Sequence, residues 1–254
     1  MNVVMLTPVY NGADVLPRFL KAVGKLKPKP IFHLFVTNNC IDDSNEIIDK
    51  YLESQLGERM SWNYPKDFTK RMGTPYAGLA IARQRLFLEV RDMMTGRPTI
   101  THALFTDDDT IILDTDALEV AANWGEDLLG GSYMRYFPEG LFLCAKWLDK
   151  YHQVKFVKDI YAPLMKPHVT SAGFMLLSRK LLLDRRLNWF PIFDNMKGKH
   201  YPPADDFGFC LGARAAGYEV YLDGMIRLEH LWRPRERPWI VDPETKQYEE
   251  FEFK

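Results

Sequence analysis

Long hydrophobic runs are missing from this chain. No stretch approaches the roughly 18 consecutive apolar residues that a membrane-spanning helix requires, so no integral membrane segment is expected. The amino terminus, MNVVMLTPVYNG, has no basic segment ahead of its short apolar run. It therefore reads as a buried first strand and not as a secretory signal. Cysteine is scarce: Cys40, Cys144 and Cys210 are the three present, far apart and with no CxxC pair. Such a set excludes a disulfide scaffold and a zinc ribbon, and fits a reducing, cytoplasmic setting. Charge of either sign is not in excess, the formal net charge being -1. Bulk electrostatic attraction to nucleic acid is thereby excluded. Two local exceptions, the basic run Arg233, Arg235, Arg237 and the acidic tail from Glu249 to Glu252, read as solvated surface. Internal repeats and low-complexity segments are absent as well.

The 254 residues contain 46% apolar side chains, enough for one sizeable core and one α/β domain. Val3 to Leu6 reads as a buried strand, followed by the turn signal Asn11-Gly12. Val15, Leu16, Phe19, Leu20 and Val23 then fall at helical spacing, with Asp14 as the expected cap and Pro17 in the first turn. Ile31 to Val36 reads as a second strand, and Thr37 to Asp42 as a polar loop. Asp43 and Glu46 resemble a capping box. It opens a helix marked by Ile47, Ile48, Tyr51, Leu52 and Leu56. A third helix is expected from about Ala77 to Met94. His102 to Phe105 is the next strand and leads directly into Thr106-Asp107-Asp108-Asp109.

Strand and helix thus alternate, which predicts a parallel sheet with ligands beyond the carboxyl ends of its strands. Thr7 to Asn11, Thr37 to Asp42 and Thr106 to Asp109 all lie at such ends. The second half is less regular. Residues 132 to 170 have weak periodicity. Ala172 to Ser178 reads as a strand, Asp206 to Ala216 as a helix, and Tyr218 to Leu222 and Met225 to Leu228 as two short strands.

Three adjacent carboxylates repel one another and raise each other's pKa. A divalent cation removes that cost, and carboxylates are suitable ligands for Mg²⁺ or Mn²⁺. In an extended segment Asp107 and Asp109 would share one side; the alternative is an acidic helix start. Ile111 and Ile112 exclude a calcium loop of the EF-hand type. Asp205-Asp206, after Pro202-Pro203, reads either as a general base or as a helix start stabilised by exposed N–H groups. His230 reads as a structural histidine or a ligand. Arg83, on a mainly apolar helix, reads as a phosphate or base contact or as the partner of a carboxylate.

In order and spacing these segments resemble the GT-A glycosyltransferases, most closely the inverting family 2. Leu6 to Asn11 is similar to that family's "PVYN" strand motif, and Val36 to Ser44 to its second loop, keeping Asp42. Gly78 to Gln84 resembles the "G…ARN" helix, Phe105 to Asp109 the DxD element, and Ala172-Gly173-Phe174 the acceptor-side strand. Asp205 to Cys210 with Gly217-Tyr218 resembles the "ED…G-Y" region. The resemblance spans roughly residues 2 to 232. It departs at Thr37-Asn38, where relatives often carry Asp, at Asp205 in place of Glu, and at Gly212 in place of Arg.

The resemblance implies a single GT-A (Rossmann-like) α/β domain over 1–254, with a mostly parallel central sheet flanked by helices. Residues 1–110 would form the nucleotide-sugar-binding half, 111–232 the acceptor-side half and 233–254 a C-terminal tail. Asp109 would bind Mn²⁺ or Mg²⁺, with Asp107 sharing the metal or the ribose, Asp108 beside it in the donor site, and His230 as a distal ligand. Thr7, Pro8, Tyr10, Asn11, Asn38, Asn39 and Arg83 would hold the nucleoside. Asp206, with Asp205 beside it, would supply the base for inversion; a retaining relative would keep the metal site without that base. The implied activity is metal-dependent glycosyl transfer from a UDP-sugar or GDP-sugar to a hydroxyl of a glycan, lipid-linked or protein acceptor. Tyr133, Tyr136, Phe137, Trp147, Tyr151 and Tyr161 would shape the acceptor side, and residues 233–238 would close over the diphosphate. A sugar nucleotidyltransferase fits less well, because Thr7 to Ala13 lacks a glycine- and basic-rich phosphate loop. A non-catalytic nucleotide-sugar-binding module is disfavoured by the second carboxylate pair.

Overall fold

The computed structural model describes residues 1–63, 77–132, 134–137, 140–143, 145–148, 154–156, 163–187 and 205–231. The basic run at 233–238, the tail to 254, Cys144, Tyr133, Tyr151, Tyr161 and Pro202-Pro203 lie outside them. Tyr136, Phe137 and Trp147 are described as strand backbone only.

The chain opens with β1 (Val3–Val9), α1 (Leu16–Val23), β2 (Phe32–Asn38), α2 (Ser44–Leu52) and β3 (Gly57–Trp62). α3 (Ala77–Gly96), β4 (His102–Phe105), β5 (Thr110–Ile112), α4 (Ala117–Trp124) and β6 (Leu128–Ser132) follow. Short strands β7 (Met134–Phe137), β8 (Gly140–Leu143), β9 (Ala145–Leu148), β10 (Val154–Phe156) and β11 (Val169–Thr170) lead to β12 (Met175–Ser178). The described chain ends with α5 (Arg179–Leu183), α6 (Asp205–Ala215) and β13 (Tyr221–His230).

Among the described residues, eight strands form one sheet in the order β3-β2-β1-β4-β12-β6-β13-β5. The β3-β2-β1-β4 block is parallel throughout, and β13 runs parallel to β6. β12 is antiparallel to both β4 and β6, and β5 is antiparallel to β13. The mostly parallel α/β sheet matches the fold class expected from the sequence.

Strand side chains alternate between two faces, and the core divides accordingly. Val4, Leu6, Leu34, Val36, Ala103 and Phe105 pack with the buried residues of α3, α5 and α6. Val3, Met5, Val9, Phe35 and Leu104 pack with those of α1, α2 and α4. Both faces of the parallel block are therefore covered, as a parallel sheet requires.

Several local expectations are corrected. Asp14 does not cap α1; the Gly12 carbonyl accepts the Val15 and Leu16 N–H groups at 3.0 and 2.9 Å and occupies the first turn itself. Asp43 makes no side-chain cap to α2. Leu56 is exposed and lies beyond that helix, which ends at Leu52 before β3. The two short strands expected near residues 218 to 228 are one, β13, with a register shift between Asp223 and Arg227. Ser132 Oγ donates to the Gly224 and Ile226 carbonyls, satisfying the backbone at that irregularity.

Candidate active site

The loops after β1 and β2 are latched together. Asn11 and Asn39 adopt the left-handed conformation, with φ of 46° and 51°, a region asparagine tolerates better than most residues. The Asn11 N–H donates to Cys40 Sγ at 3.4 Å, and Asn11 Oδ1 accepts the Ile41 N–H at 2.9 Å. Gly12 N–H donates to Ser44 Oγ at 2.7 Å, and Ala13 N–H to Asp42 Oδ2 at 2.9 Å. Asp42 also accepts the Ser44 N–H and hydroxyl. Partial burial raises its pKa, but these donors outweigh burial and leave it below the usual carboxylate value. Asp42, in the loop after β2, is thus a latch between loops. The part played by Cys40 and Ser44 had no signal in the sequence beyond their place in a polar loop.

Of the residues expected around a nucleoside, Thr7, Pro8 and Asn38 are buried in the sheet, and Asn11 and Asn39 are partly exposed. Tyr10 is 41% exposed. These positions line the carboxyl edge of β1 and β2, whose register pairs Val9 with Thr37.

β4 delivers the acidic run to the same edge. Thr106 is pinned there, its N–H to the Leu6 carbonyl at 3.1 Å and its Oγ1 to the Gly173 carbonyl at 2.9 Å. The run is not extended as expected: Thr110 N–H donates to the Asp107 carbonyl at 3.1 Å and closes a turn. The three carboxylates consequently go to three places. Asp107 pairs with Arg83. Asp108 lies against Gly12 so closely that a Cβ there would stand 2.3 Å from its Oδ2. Asp109, 1% exposed, places Oδ1 3.7 Å from His230 Nε2, and its carbonyl accepts the Leu231 N–H at 2.6 Å.

Of the expected metal-binding set, the structure therefore brings Asp109 and His230 together and places Asp107 on a guanidinium instead. Among the described residues no group of three His, Cys, Asp or Glu side chains gathers as a metal-binding cluster. The Asp109–His230 pair nevertheless fits a shared divalent cation. Two ligands, each about 2.1 Å from one ion, stand about 3 to 4 Å apart, and the observed separation is 3.7 Å.

Arg83 projects from α3 into the interior with 3% exposure. Its Nη1 donates to both oxygens of Asp205, at 2.8 and 2.7 Å, and Nη2 donates to Asp107 Oδ1 at 2.5 Å. Burial alone would lower the guanidinium pKa; the field of Asp107, Asp205 and Asp206 outweighs it and holds the group protonated. Asp205, 2% exposed, is thus committed to Arg83. Asp206, next on α6, accepts the Phe207 N–H at 2.8 Å on Oδ1 and the Ala172 N–H at 3.4 Å on Oδ2. It is half-buried beside the Ser171–Gly173 corner that also receives Thr106.

No protein-family model matches the sequence, and no curated protein matches it. Solved structures do match in fold. S. aureus TarS 1-349 in complex with UDP superposes with a TM-score of 0.57 at 17% identity, over 90% of this chain and 59% of that one. The mannosyltransferase PcManGT from Pyrobaculum calidifontis, in complex with GDP-Man and Mn²⁺, gives 0.55 at 13% identity, over 93% and 58%. The fold is GT-A-like. A197 from STIV gives 0.52 at 14% identity, over 92% of this chain and 87% of that one. The chain spans about three fifths of the TarS and PcManGT chains. In this GT-A-like sheet the latched loops, the acidic turn with His230, and the start of α6 share the carboxyl edge of the parallel block.

Proposed function

We propose that the chain is a metal-dependent glycosyltransferase that moves a sugar from a nucleoside diphosphate sugar to a hydroxyl acceptor, with inversion. The observation that carries this reading is the convergence of Asp109, His230 and Asp206 on one edge of a GT-A-like sheet. UDP-GlcNAc bound to TarS and GDP-Man bound to PcManGT support a UDP-sugar or GDP-sugar as donor. Residues 1–110 form the nucleotide-binding half and 111–232 the acceptor half, although His230 crosses back to complete the first. No described helix is long and apolar enough to cross a membrane. The free thiols of Cys40 and Cys210 support a reducing, cytoplasmic setting.

Asp109 and His230 would hold Mn²⁺ or Mg²⁺, which would neutralise charge on the diphosphate leaving group. Tyr10, Asn11 and Asn39 meet the nucleoside from the exposed side of the latched loops, and Thr7, Pro8 and Asn38 form the floor beneath. Asp108, against Gly12, borders the ribose. The acceptor is a hydroxyl-bearing glycan, lipid-linked or protein chain. Its oxygen attacks the anomeric carbon, the bond to the diphosphate oxygen breaks, and that electron pair leaves with the nucleoside diphosphate. Asp206 takes the acceptor proton. Asp205 does not reach the reacting atoms; it holds Arg83.

The decisive assay offers UDP-sugars and GDP-sugars with Mn²⁺ and measures released nucleoside diphosphate against pyrophosphate. Nucleoside diphosphate is expected; pyrophosphate would identify a nucleotidyltransferase. Asp109→Ala should lose both donor hydrolysis and transfer, about 10²-fold or more. Asp206→Asn should retain nucleotide binding and lose transfer, about 10²-fold or more. Full transfer by Asp206→Asn would remove it as the base.

A further inference from the structure

The start of α6 carries Asp206, yet the acidic turn lies on a separate element, and 122 residues separate Arg83 from Asp205. Two connections join these parts. In one, the Arg83 guanidinium spans Asp107 and Asp205. In the other, Thr106 Oγ1 holds the Gly173 carbonyl, and the neighbouring Ala172 N–H donates to Asp206 Oδ2. Both run from the segment preceding the acidic turn, or from its first carboxylate, to the two residues that open α6.

The first connection has the character of a rigid strut. Arg83 and Asp205 are 3% and 2% exposed, so neither charge can turn to solvent when the other is lost. Nη1 meets both oxygens of Asp205 while Nη2 meets Asp107, and the planar guanidinium fixes these two nitrogens relative to one another, which a lysine ammonium could not do. Nη2 is committed to Asp107, on the turn whose other two carboxylates lie against Gly12 and His230. A shift of the turn therefore reaches α6 through the guanidinium.

We propose that Arg83 is a positioning residue that couples nucleotide occupancy of the acidic turn to the placement of the first turn of α6. The inference rests on the glycosyltransferase reading given above. In physical terms, ordering of the acidic turn by bound nucleotide fixes Asp107, Asp107 fixes Arg83, and Arg83 fixes Asp205 beside the base. Filling the donor site thereby holds Asp206 more firmly in its working position.

The coupling is read without an acceptor, by hydrogen exchange of the backbone amides over 205–212 with and without UDP or GDP plus Mn²⁺. In the unsubstituted chain, nucleotide should slow exchange in this segment by about tenfold, a local stabilisation of the kind exchange reports. Asp205→Asn keeps the shape of the side chain and leaves Arg83 paired with Asp107. It should bind nucleotide with affinity within about threefold of the parent yet lose the protection over 205–212. Arg83→Lys retains the charge and should recover only part of it. If Asp205→Asn binds nucleotide and still shows full protection, the coupling is overturned. Equal loss of binding and protection would make the trio merely structural and would also overturn it. Absence of nucleotide binding by the unsubstituted chain would instead remove the glycosyltransferase reading, and the inference with it.

Discussion

His33 on β2 illustrates how a single buried group ties this fold to pH. It is 3% exposed, bonded through Nδ1 to the Tyr51 hydroxyl at 2.9 Å, with the two ring centroids 5.4 Å apart. Burial pushes its pKa down from 6.5 to about 4. Between those values the unfolded chain binds a proton that the folded chain refuses, so stability falls as pH drops through that window. The loss approaches about 3 kcal/mol at the acid end. His33→Gln should flatten the difference between urea midpoints measured at about pH 7 and about pH 4.5. An unchanged difference would assign the acid sensitivity elsewhere. At this same scale the sequence was least legible. The acidic run stood out, but its three carboxylates were separated by a turn whose closing bond, Thr110 N–H to the Asp107 carbonyl, leaves no mark in residue type. Arg83 stood out as a charge on an apolar helix, while its partner Asp205 is set by tertiary packing alone.

Among the elements, β6 and β11 meet unusually closely. A Cβ built on Gly130 would lie 2.0 Å from Thr170 Oγ1 and 2.8 Å from Thr170 Cβ. Only a missing side chain on β6 lets Thr170 lie so close to the sheet. Thr170 also presents its carbonyl to Cys210 Sγ at 3.6 Å, so β11 links the sheet to α6. Gly130→Ala should therefore destabilise the protein by about 1–3 kcal/mol, read as a lower urea midpoint with unchanged slope. A neutral result would mean that β11 can lift off the sheet at no cost. β1, β2 and β4 were legible because buried parallel strands between amphipathic helices announce themselves by period. β3 was not: it is an edge strand, largely exposed and interrupted by Glu58 and Arg59, so its pairing with β2 supplies what its composition lacks. β6 was hidden for a related reason, its Gly-Gly pair serving packing against Thr170 and Phe174 and not strand propensity.

For the whole molecule, the antiparallel insertion of β12 between β4 and β6 brings the Ser171–Gly173 corner beside the acidic turn. The β13 terminus returns to the same place, with Leu231 N–H on the Asp109 carbonyl. A ligand binding there touches segments from near the start, the middle and the far end of the described chain. UDP or GDP with Mn²⁺ should consequently stabilise the entire domain. At a hundredfold excess over Kd the gain is about 2.7 kcal/mol, or roughly 5–10 °C in Tm for a domain of this size. A chelator should abolish the metal-dependent part of the shift. A shift indifferent to chelation would detach nucleotide binding from the Asp109–His230 pair.

The Arg83, Asp107 and Asp205 trio also has a consequence for descent. Removing Arg83 leaves the buried Asp205 carboxylate without its counterpart, a loss of several kcal/mol that selection would notice before any change in activity. A change at Arg83 is therefore tolerated only with changes at its carboxylate partners, and lineages of this chain should keep Arg83 with both or exchange the trio for uncharged side chains. Such joint variation between a helix, a turn and a second helix distant in sequence would be a hereditary mark of the fold, readable even in descendants that have lost their substrate.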